Sequence, residues 1–298
     1  MINFLRFRTL TAFISLSIVL SFIGMAIYHY QMRGQVFSYS IDFTGGTQIL
    51  LKFDKPVSGV EIKNILEKQG WKGAIIREFS DQEILIRVKE FAGDAQGLGE
   101  RMLTVIQKNL AGYEIQILQS ESVGPGVGAA LRWKSVRAVV FALLAMLIYI
   151  ALRFWSFSFA FGAVVALFHD ALVMLALFLF LDREISINVI GAILAVLGYS
   201  INDTIVIFSQ IRDDLKKMKD SSLATIVNVS LNQTLKRTLL TSISTGIPVT
   251  VMLLFGGEAL RNFSLALLAG IIFGTYSSIY IASPVMMMFY QTKNKKTM

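Results

Sequence analysis

Long apolar runs separated by short polar segments dominate the chain, and they predict six membrane-spanning helices. The runs cover Thr11–His29, 136–152, 158–180, 187–209, 238–255 and 263–290. A helix needs about 20 apolar residues to cross a hydrocarbon core about 30 Å thick, so each run suffices with some difference in tilt. The first run is too long for the apolar part of a signal peptide, and no small-residue cleavage site follows it. We therefore expect it to be a retained helix.

The charges between these runs predict the orientation. Lys and Arg concentrate beside alternate span ends, and the opposite short loops hold only Arg183 and Arg261. The clustered cations are Arg6, Arg8, Arg153, Arg212, Lys216, Lys217, Lys219, Lys236, Arg237, Lys293, Lys295 and Lys296. Because cytoplasmic loops are enriched in such residues, we expect both termini and a loop at 210–237 to be cytoplasmic. This divides the chain into 1–30, an external segment 31–134, and a five-helix bundle 135–298.

The external segment changes to a two-residue alternation with turn signals, which is typical of a folded α+β domain. Strands are predicted at Thr47–Phe53, Lys72–Phe79, Glu83–Lys89 and Tyr113–Val123. A capping box at 58–61 begins one helix that ends near Gly70, and 94–110 suits a second. The order β-α-β-β-α-β is the ferredoxin-like arrangement, which by itself implies no function. We find no catalytic constellation in it.

A glycine-rich segment, 123–128, joins this domain to the second span. It contains Gly124, Pro125, Gly126 and Gly128. It suits either a flexible linker or a hinge that absorbs a domain rotation, and the sequence leaves both open.

Composition removes several classes of protein. Hydrophobic residues make up 54% of the chain and charged residues 16%, so lipid rather than water surrounds most of it. The net charge of +8 follows from cations beside apolar runs, where they orient the chain and contact anionic lipid, so no nucleic-acid partner is expected. There is no cysteine and there are only two histidines, so neither a disulfide framework nor a metal site is expected.

Charged residues inside the spans cost a few kcal/mol each and therefore indicate function. Asp203 lies in the fourth predicted span and Arg237 at the start of the fifth, at a depth within side-chain reach. A buried structural ion pair would explain Asp203, and a span-end side chain that extends toward water and orients the chain would explain Arg237. The other interpretation is a titrating carboxylate whose proton affinity changes as the arginine moves. His169 and Asp170 lie near the middle of the third span, either as a structural pair or as a second proton relay.

Small residues at three- and four-residue steps mark two faces for close helix approach. One follows Asn188, Gly191, Ala195, Gly198 and Asn202, and the other Ala266, Gly270, Gly274, Ser278 and Ala282.

Several motifs in this order resemble the SecF branch of the SecD/SecF family of protein-export membrane proteins, within the resistance-nodulation-division superfamily. Asp42-Phe-Thr-Gly45-Gly46 is similar to the motif that enters the family's external domain, and 123–128 to the one that leaves it. The matching span motifs are His169-Asp170, 198–206, 228–242, 263–264 and 274–283. One departure is Ser209-Gln210-Ile-Arg212, where the family pattern has an acid followed by Arg-Ile-Arg.

The resemblance implies a proton-driven accessory of the bacterial Sec pathway, not an enzyme, in the cytoplasmic (inner) membrane. Its expected partners are SecD, the SecYEG translocon with its small membrane subunits, the exported protein chain and membrane lipid. No cofactor is implied beyond the proton, and the proton-coupling residues fall on Asp203, Arg237 and Asp170. The alternatives are half of a small-molecule exporter or a structural scaffold. An intramembrane hydrolase lacks its motifs.

Overall fold

The computed structural model describes residues 1–89 and 95–295. Within these ranges six helical stretches are long and apolar enough to cross a membrane, which confirms the predicted fold class. They are α1 (Arg8–Arg33), α5 (Pro125–Phe154), α6 (Phe157–Phe180), α7 (Ile187–Lys217), α8 (Leu223–Phe255), and a last stretch of α9 (Gly257–Ser277), a π-helical turn (Ser278–Ala282) and α10 (Ser283–Lys295). Lys296, cited above as an orienting charge, lies outside the described residues.

Two helices run well beyond their apolar segments. The predicted loop 210–237 is wrong, because α7 continues to Lys217 and α8 begins at Leu223. Ser222 fixes that start, since its Oγ accepts a hydrogen bond from the Thr225 N–H at 3.1 Å. The change from apolar to charged residues marks where the helices leave the apolar layer, and helical hydrogen bonding continues past that point.

The chain divides into two compact units, one of 39–136 and one formed by 1–38 with the residues from 137 onward. The first unit holds an antiparallel sheet of β1 (Gly46–Phe53), β2 (Ile75–Ser80), β3 (Glu83–Val88) and β4 (Ile115–Val123), in the order β2-β3-β1-β4. Helices α3 (Gly59–Lys68) and α4 (Ala95–Asn109) complete the predicted ferredoxin-like order, and α2 (Ile41–Thr44) precedes it. Residue 94, the predicted start of α4, lies outside the described residues.

The four strands, α3 and α4 of this unit each bury one apolar face in a common core. On β1, Ile49, Leu51 and Phe53 alternate toward the core, as the period of two in the sequence requires. Helix α3 packs its apolar face against them, and the Ser58 Oγ accepts from the Val60 N–H at 3.3 Å to cap it. The members from β3 and the helices are Ile84, Ile86, Val88, Ile62, Leu66, Leu98, Met102 and Ile106.

The second unit, 1–38 with the residues from 137 onward, is called the membrane unit below. The two small-residue faces predicted in it, one on α7 and one on the last stretch, have different surroundings. Every member of the face in the last stretch is buried, where α9 packs on α7 and α8 and the π-helical turn packs on α6. A Cβ on Gly162 of α6 would stand 2.7 Å from the Ala282 carbonyl oxygen, which shows how closely these backbones approach. The face on α7 is exposed instead, and a Cβ on Gly191 or Gly198 would meet no atom within 4 Å. Within this unit, the expected close helix approach is therefore absent at that face.

Candidate functional site: a polar seam between membrane helices

Asp203 lies on the side of α7 that faces α8. Its side chain is 2% exposed, and its Oδ1 accepts a long hydrogen bond of 3.4 Å from the Thr241 hydroxyl. Its Oδ2 is buried and has no hydrogen-bond partner. A buried carboxylate oxygen is costly unless a donor or a cation satisfies it. A proton on Oδ2, or a guanidinium close to it, would satisfy this oxygen.

Arg237 is the cation placed to do this. It precedes Thr241 by one helical turn on α8, and it is exposed. Among the residues that the structure describes, no ion pair within 4.0 Å joins Arg237 to Asp203. The structure therefore brings the two predicted residues to neighbouring turns of packed helices and leaves their charges apart.

A run of polar contacts sets the register between α7 and α8. At one end, the buried Asp214 accepts from the Ser230 hydroxyl at 2.7 Å. Gln210 donates to the Gln233 side chain at 2.6 Å, one turn before Arg237, and Thr241 meets Asp203 one turn after it. Arg237 thus stands between two contacts that join the same pair of helices.

Asp170 forms a second polar centre, between α6 and α7. It is fully buried, and its Oδ2 accepts from the Ser200 hydroxyl at 2.6 Å. The Asp170 Oδ1 lies 3.6 Å from His169 Nδ1, but the His169 ring lies toward Tyr276, with 6.2 Å between ring centroids. Adjacent helical residues point about 100° apart, so the two side chains meet different neighbours.

Hydroxyl groups of the last stretch extend this polar layer. Ser278 opens the π-helical turn and shares a 2.9 Å hydrogen bond with Thr204, one residue beyond Asp203. Ser277, Ser278 and Ser283 are all fully buried. π-Helical turns are rare and occur often at functional sites, and no pattern along the chain predicted this one.

Gln210 lies in the segment 209–212 where the sequence departs from the family pattern, and Asp214 lies one helical turn beyond Gln210. The Gln210 amide lies 3.1 Å from both Asp214 carboxylate oxygens, so a neutral donor satisfies a buried acid. The spacing of the two residues, one turn apart on a helix, was the only sequence signal for this contact.

The two glycine motifs, at 42–46 and 123–128, meet one another within the unit 39–136. Ser40 caps α2 and donates to Asp42 at 2.9 Å, and Gly45 and Gly46 follow with φ of 75° and 114°. A Cβ on Gly45 would lie 2.6 Å from the Pro125 Cα, and one on Gly128 would lie 2.9 Å from the Gly45 nitrogen. Only glycine permits such an approach.

The predicted linker 123–128 is helical from Pro125 onward, whereas Val123 ends β4. Pro125 begins α5, where its missing N–H costs nothing, and the Gly128 N–H donates to the Gly124 carbonyl at 3.0 Å. Gly126 lies within the same first turn. A flexible chain at 123–128 is not what the structure contains, and a hinge at this place remains a prediction.

Two family models match the chain. Residues 103–292 match the C-terminal region of the protein export membrane proteins SecD and SecF, and residues 34–57 match the SecD/SecF GG motif, which contains Asp42, Gly45 and Gly46. The protein translocase subunit SecF of Thermodesulfovibrio yellowstonii is 36% identical over 92% of this chain and 91% of its own length. That of Pseudomonas aeruginosa is 35% identical over 96% and 90%.

Solved structures agree with these matches. The crystal structure of SecDF from Thermus thermophilus, described as a translocon-associated membrane protein, matches with a TM-score of 0.84 at 34% identity. A super-membrane-facing form of SecDF matches with a TM-score of 0.68 at 33% identity. This chain is covered over 97% and 98% of its length, and it spans 39% of each SecDF chain. The chain belongs to the SecF branch of the SecD/SecF family of protein export membrane proteins.

Proposed function

We propose that this SecF-family chain couples proton movement at Asp203 and Arg237 to late steps of protein export, in a complex with SecD. Its family makes it an accessory subunit of Sec protein translocation and a multi-pass membrane protein, not an enzyme. The coupling ion, the residues that bind and release it, and the assembly are proposed in addition.

One observation carries the coupling: the buried, incompletely hydrogen-bonded carboxylate of Asp203 beside an exposed arginine. Oδ2 of Asp203 is without a partner, and Arg237 stands one turn from the only donor to Oδ1 among the described residues. Protonation of the carboxylate and approach of the guanidinium are alternative ways to satisfy the same group. Proton arrival and departure would then favour different positions of Arg237.

Asp170 is proposed as a second station. It is fully buried, and Ser200 links it to α7 one turn before Asp203 and Thr204. The Thr204–Ser278 contact continues the layer to the π-helical turn. These groups give a proton polar neighbours on three helical segments.

The partner surface is proposed at the exposed small-residue face of α7. This chain spans only 39% of the SecDF chain, and the matching family model describes both SecD and SecF. A second six-helix module of the same family is therefore the natural occupant, with Gly191 and Gly198 permitting close backbone approach. This face is on the same helix as Asp203, so the partner would contact the helix that holds the titrating group.

The orientation in the membrane, the further partners and a pivot for domain motion are also proposed. The cation distribution favours both termini in the cytoplasm and the unit 39–136 outside the inner membrane. SecYEG and the exported chain are the proposed partners of the complex, because the matching SecDF is described as a translocon-associated membrane protein. The junction of Gly45 with Pro125 and Gly128 is the proposed pivot, because tightly packed glycine backbones can turn against each other without side-chain collision.

The test is Asp203→Asn in purified complex reconstituted with SecD and the translocon. We expect loss of the proton-driven stimulation of preprotein release with unchanged co-purification of SecD. Asp213→Asn is the matched control, because it removes an exposed acid from the same helix. An Asn variant at 203 that responds fully to the proton gradient would refute the proposal. Drug efflux without any effect on preprotein release would favour the exporter class, which the relatives do not support.

A further inference from the structure

A short segment before α1 lies across the first half of α8. It consists of residues 1–7, with a 3₁₀ turn at Phe4–Phe7, and is named here the N-terminal strap. Two asparagines of α8 hold it, Asn228 and Asn232, which are one helical turn apart and so lie on the same face. Nothing in the polar seam described above uses either residue.

The contacts are side chain to backbone, and they are reciprocal. The Asn232 Oδ1 accepts from the Ile2 N–H at 2.8 Å, and its Nδ2 donates to the Ile2 carbonyl at 2.8 Å. The Asn228 Oδ1 accepts from the Phe4 N–H at 2.8 Å, and its Nδ2 donates to the Ile2 carbonyl at 3.1 Å. The side-chain amide of asparagine has both a donor and an acceptor, so it can pair with the N–H and the C=O groups of an exposed backbone segment. These four bonds therefore hold the strap through its backbone.

Phe4 anchors the strap on its other side. Its ring is 6% exposed and lies edge-on to Tyr280, with 6.1 Å between centroids, within the π-helical turn. The strap thus joins α8 to the turn that carries Ser278. It then continues into α1 at Arg8.

The strap contacts lie on the same half of α8 as Arg237 and close to it along the helix axis. Arg237 follows Asn232 by five residues, about 7.5 Å along the axis at about 1.5 Å per residue. On another side of the same helix half, Ser230 and Gln233 contact α7. Six of the seven buried residues of α8 lie in this half, and three of them, Ser230, Thr234 and Thr238, are polar. Polar attachments on two sides therefore contribute to its position, beside the apolar packing of Ile226, Val227 and Leu231.

We propose that Asn228 and Asn232 are positioning residues for Arg237. By fastening the strap they hold the first half of α8 at a fixed register against Asp203, so that the guanidinium can reach the carboxylate. This inference rests on the proposed function of Arg237 and Asp203. It assigns a role to the strap and to two amides of the 228–242 motif for which the resemblance implied none.

The test uses the absence of cysteine from the chain. Asn232→Cys alone and the pair Ile2→Cys with Asn232→Cys are compared in membranes with cysteine-free SecD, each reduced and oxidised. The Asn232 side chain reaches the Ile2 backbone at 2.8 Å, so the two Cα atoms lie within the reach of one asparagine side chain, and we expect a disulfide to replace the contact. Asn228→Ala with Asn232→Ala removes all four bonds, and Lys236→Ala is the control for an exposed polar side chain on the same helix.

We expect the rate of proton-driven preprotein release to fall about tenfold in the double alanine variant. The variant loses four hydrogen bonds to the strap, and each contributes little on balance at a partly exposed site. Lys236→Ala should stay within about twofold, because its side chain makes none of these contacts. SecD should co-purify normally with every variant. The cysteine pair should be as impaired as Asn232→Cys when reduced and should recover when oxidised, which a general folding defect would not do. Recovery of the single cysteine variant on oxidation, failure of the pair to cross-link, or cross-linking without recovery would each overturn the proposal.

An Asp203→Asn arm separates the two proposals. Loss of coupling in Asp203→Asn with normal release by the alanine variants overturns the positioning role and leaves the proposed function intact. Full coupling in Asp203→Asn refutes both, because Arg237 then has no partner to be positioned for.

Discussion

Gly270→Ala tests whether the close contact between α9 and α7 stabilises the membrane unit. Gly270 is buried, and a Cβ there would lie 2.9 Å from the Val196 Cβ and closer still to the two methyl carbons. Val196 is 1% exposed and β-branched, so its side chain has few other rotamers to adopt. One added methyl group therefore has to push α9 away from α7.

The size of the effect follows from overpacking. Inserting a methylene-sized group into a well-packed interior costs about 1–3 kcal/mol, and α7 carries Asp203 about two turns beyond the contact. Gly246→Ala is the matched control, because its Cβ would meet only one atom, the Leu268 Cδ1 at 4.0 Å. Both changes replace a glycine in a membrane helix by alanine, so helix propensity is the same in the two variants.

The measurement is thermal unfolding of the purified complex in detergent, followed by co-purification with SecD. We expect Gly270→Ala to unfold at a temperature several degrees lower than Gly246→Ala. The double variant Gly270→Ala with Val196→Ala should recover most of the difference, because the smaller side chain frees the space. Equal unfolding temperatures for Gly270→Ala and Gly246→Ala would contradict the packing described here.

Two further predictions concern the polar layer and the exposed face. Ser200→Ala removes the 2.6 Å hydrogen bond to the buried Asp170 carboxylate and should destabilise the protein by about 1.5–3 kcal/mol, measured by denaturant unfolding. Ser264→Ala, a buried serine bonded to its own helix, should cost less, and an equal cost would count against the assigned contact. Gly198→Leu should leave the unfolding temperature of the isolated subunit unchanged while reducing recovery of SecD in pull-downs; full recovery would exclude this face as the partner surface.

Much of the architecture could be predicted from the sequence because its signals are local. Apolar runs identified all six spans, and two-residue alternation with turn residues identified the four strands in the right order. Ser58 and Gly70 marked the ends of α3 correctly to within two residues. The sequence did not predict where α7 and α8 end beyond the apolar layer. Polar residues such as Arg212 and Lys216 mark the end of an apolar span, but they also continue a helix readily in water.

The site was predicted in part. The cost of burying charge in the membrane is enough to select Asp203, Arg237 and Asp170, and these residues lie on helices that pack together. The tertiary structure adds that Arg237 does not pair with Asp203 in this arrangement. That distinction depends on ångström distances, which residue spacing does not contain.

The sequence by itself determined the six spans, the fold class and the family, because each depends on hydrophobic periodicity or on short motifs along the chain. Only the tertiary structure decided which polar groups share a surface. Asn232 and Ile2 are 230 positions apart, and no local pattern links them. The same holds for the two small-residue faces, which look alike in sequence: one is buried in the bundle and the other is exposed, because burial depends on which helices the fold brings beside each face.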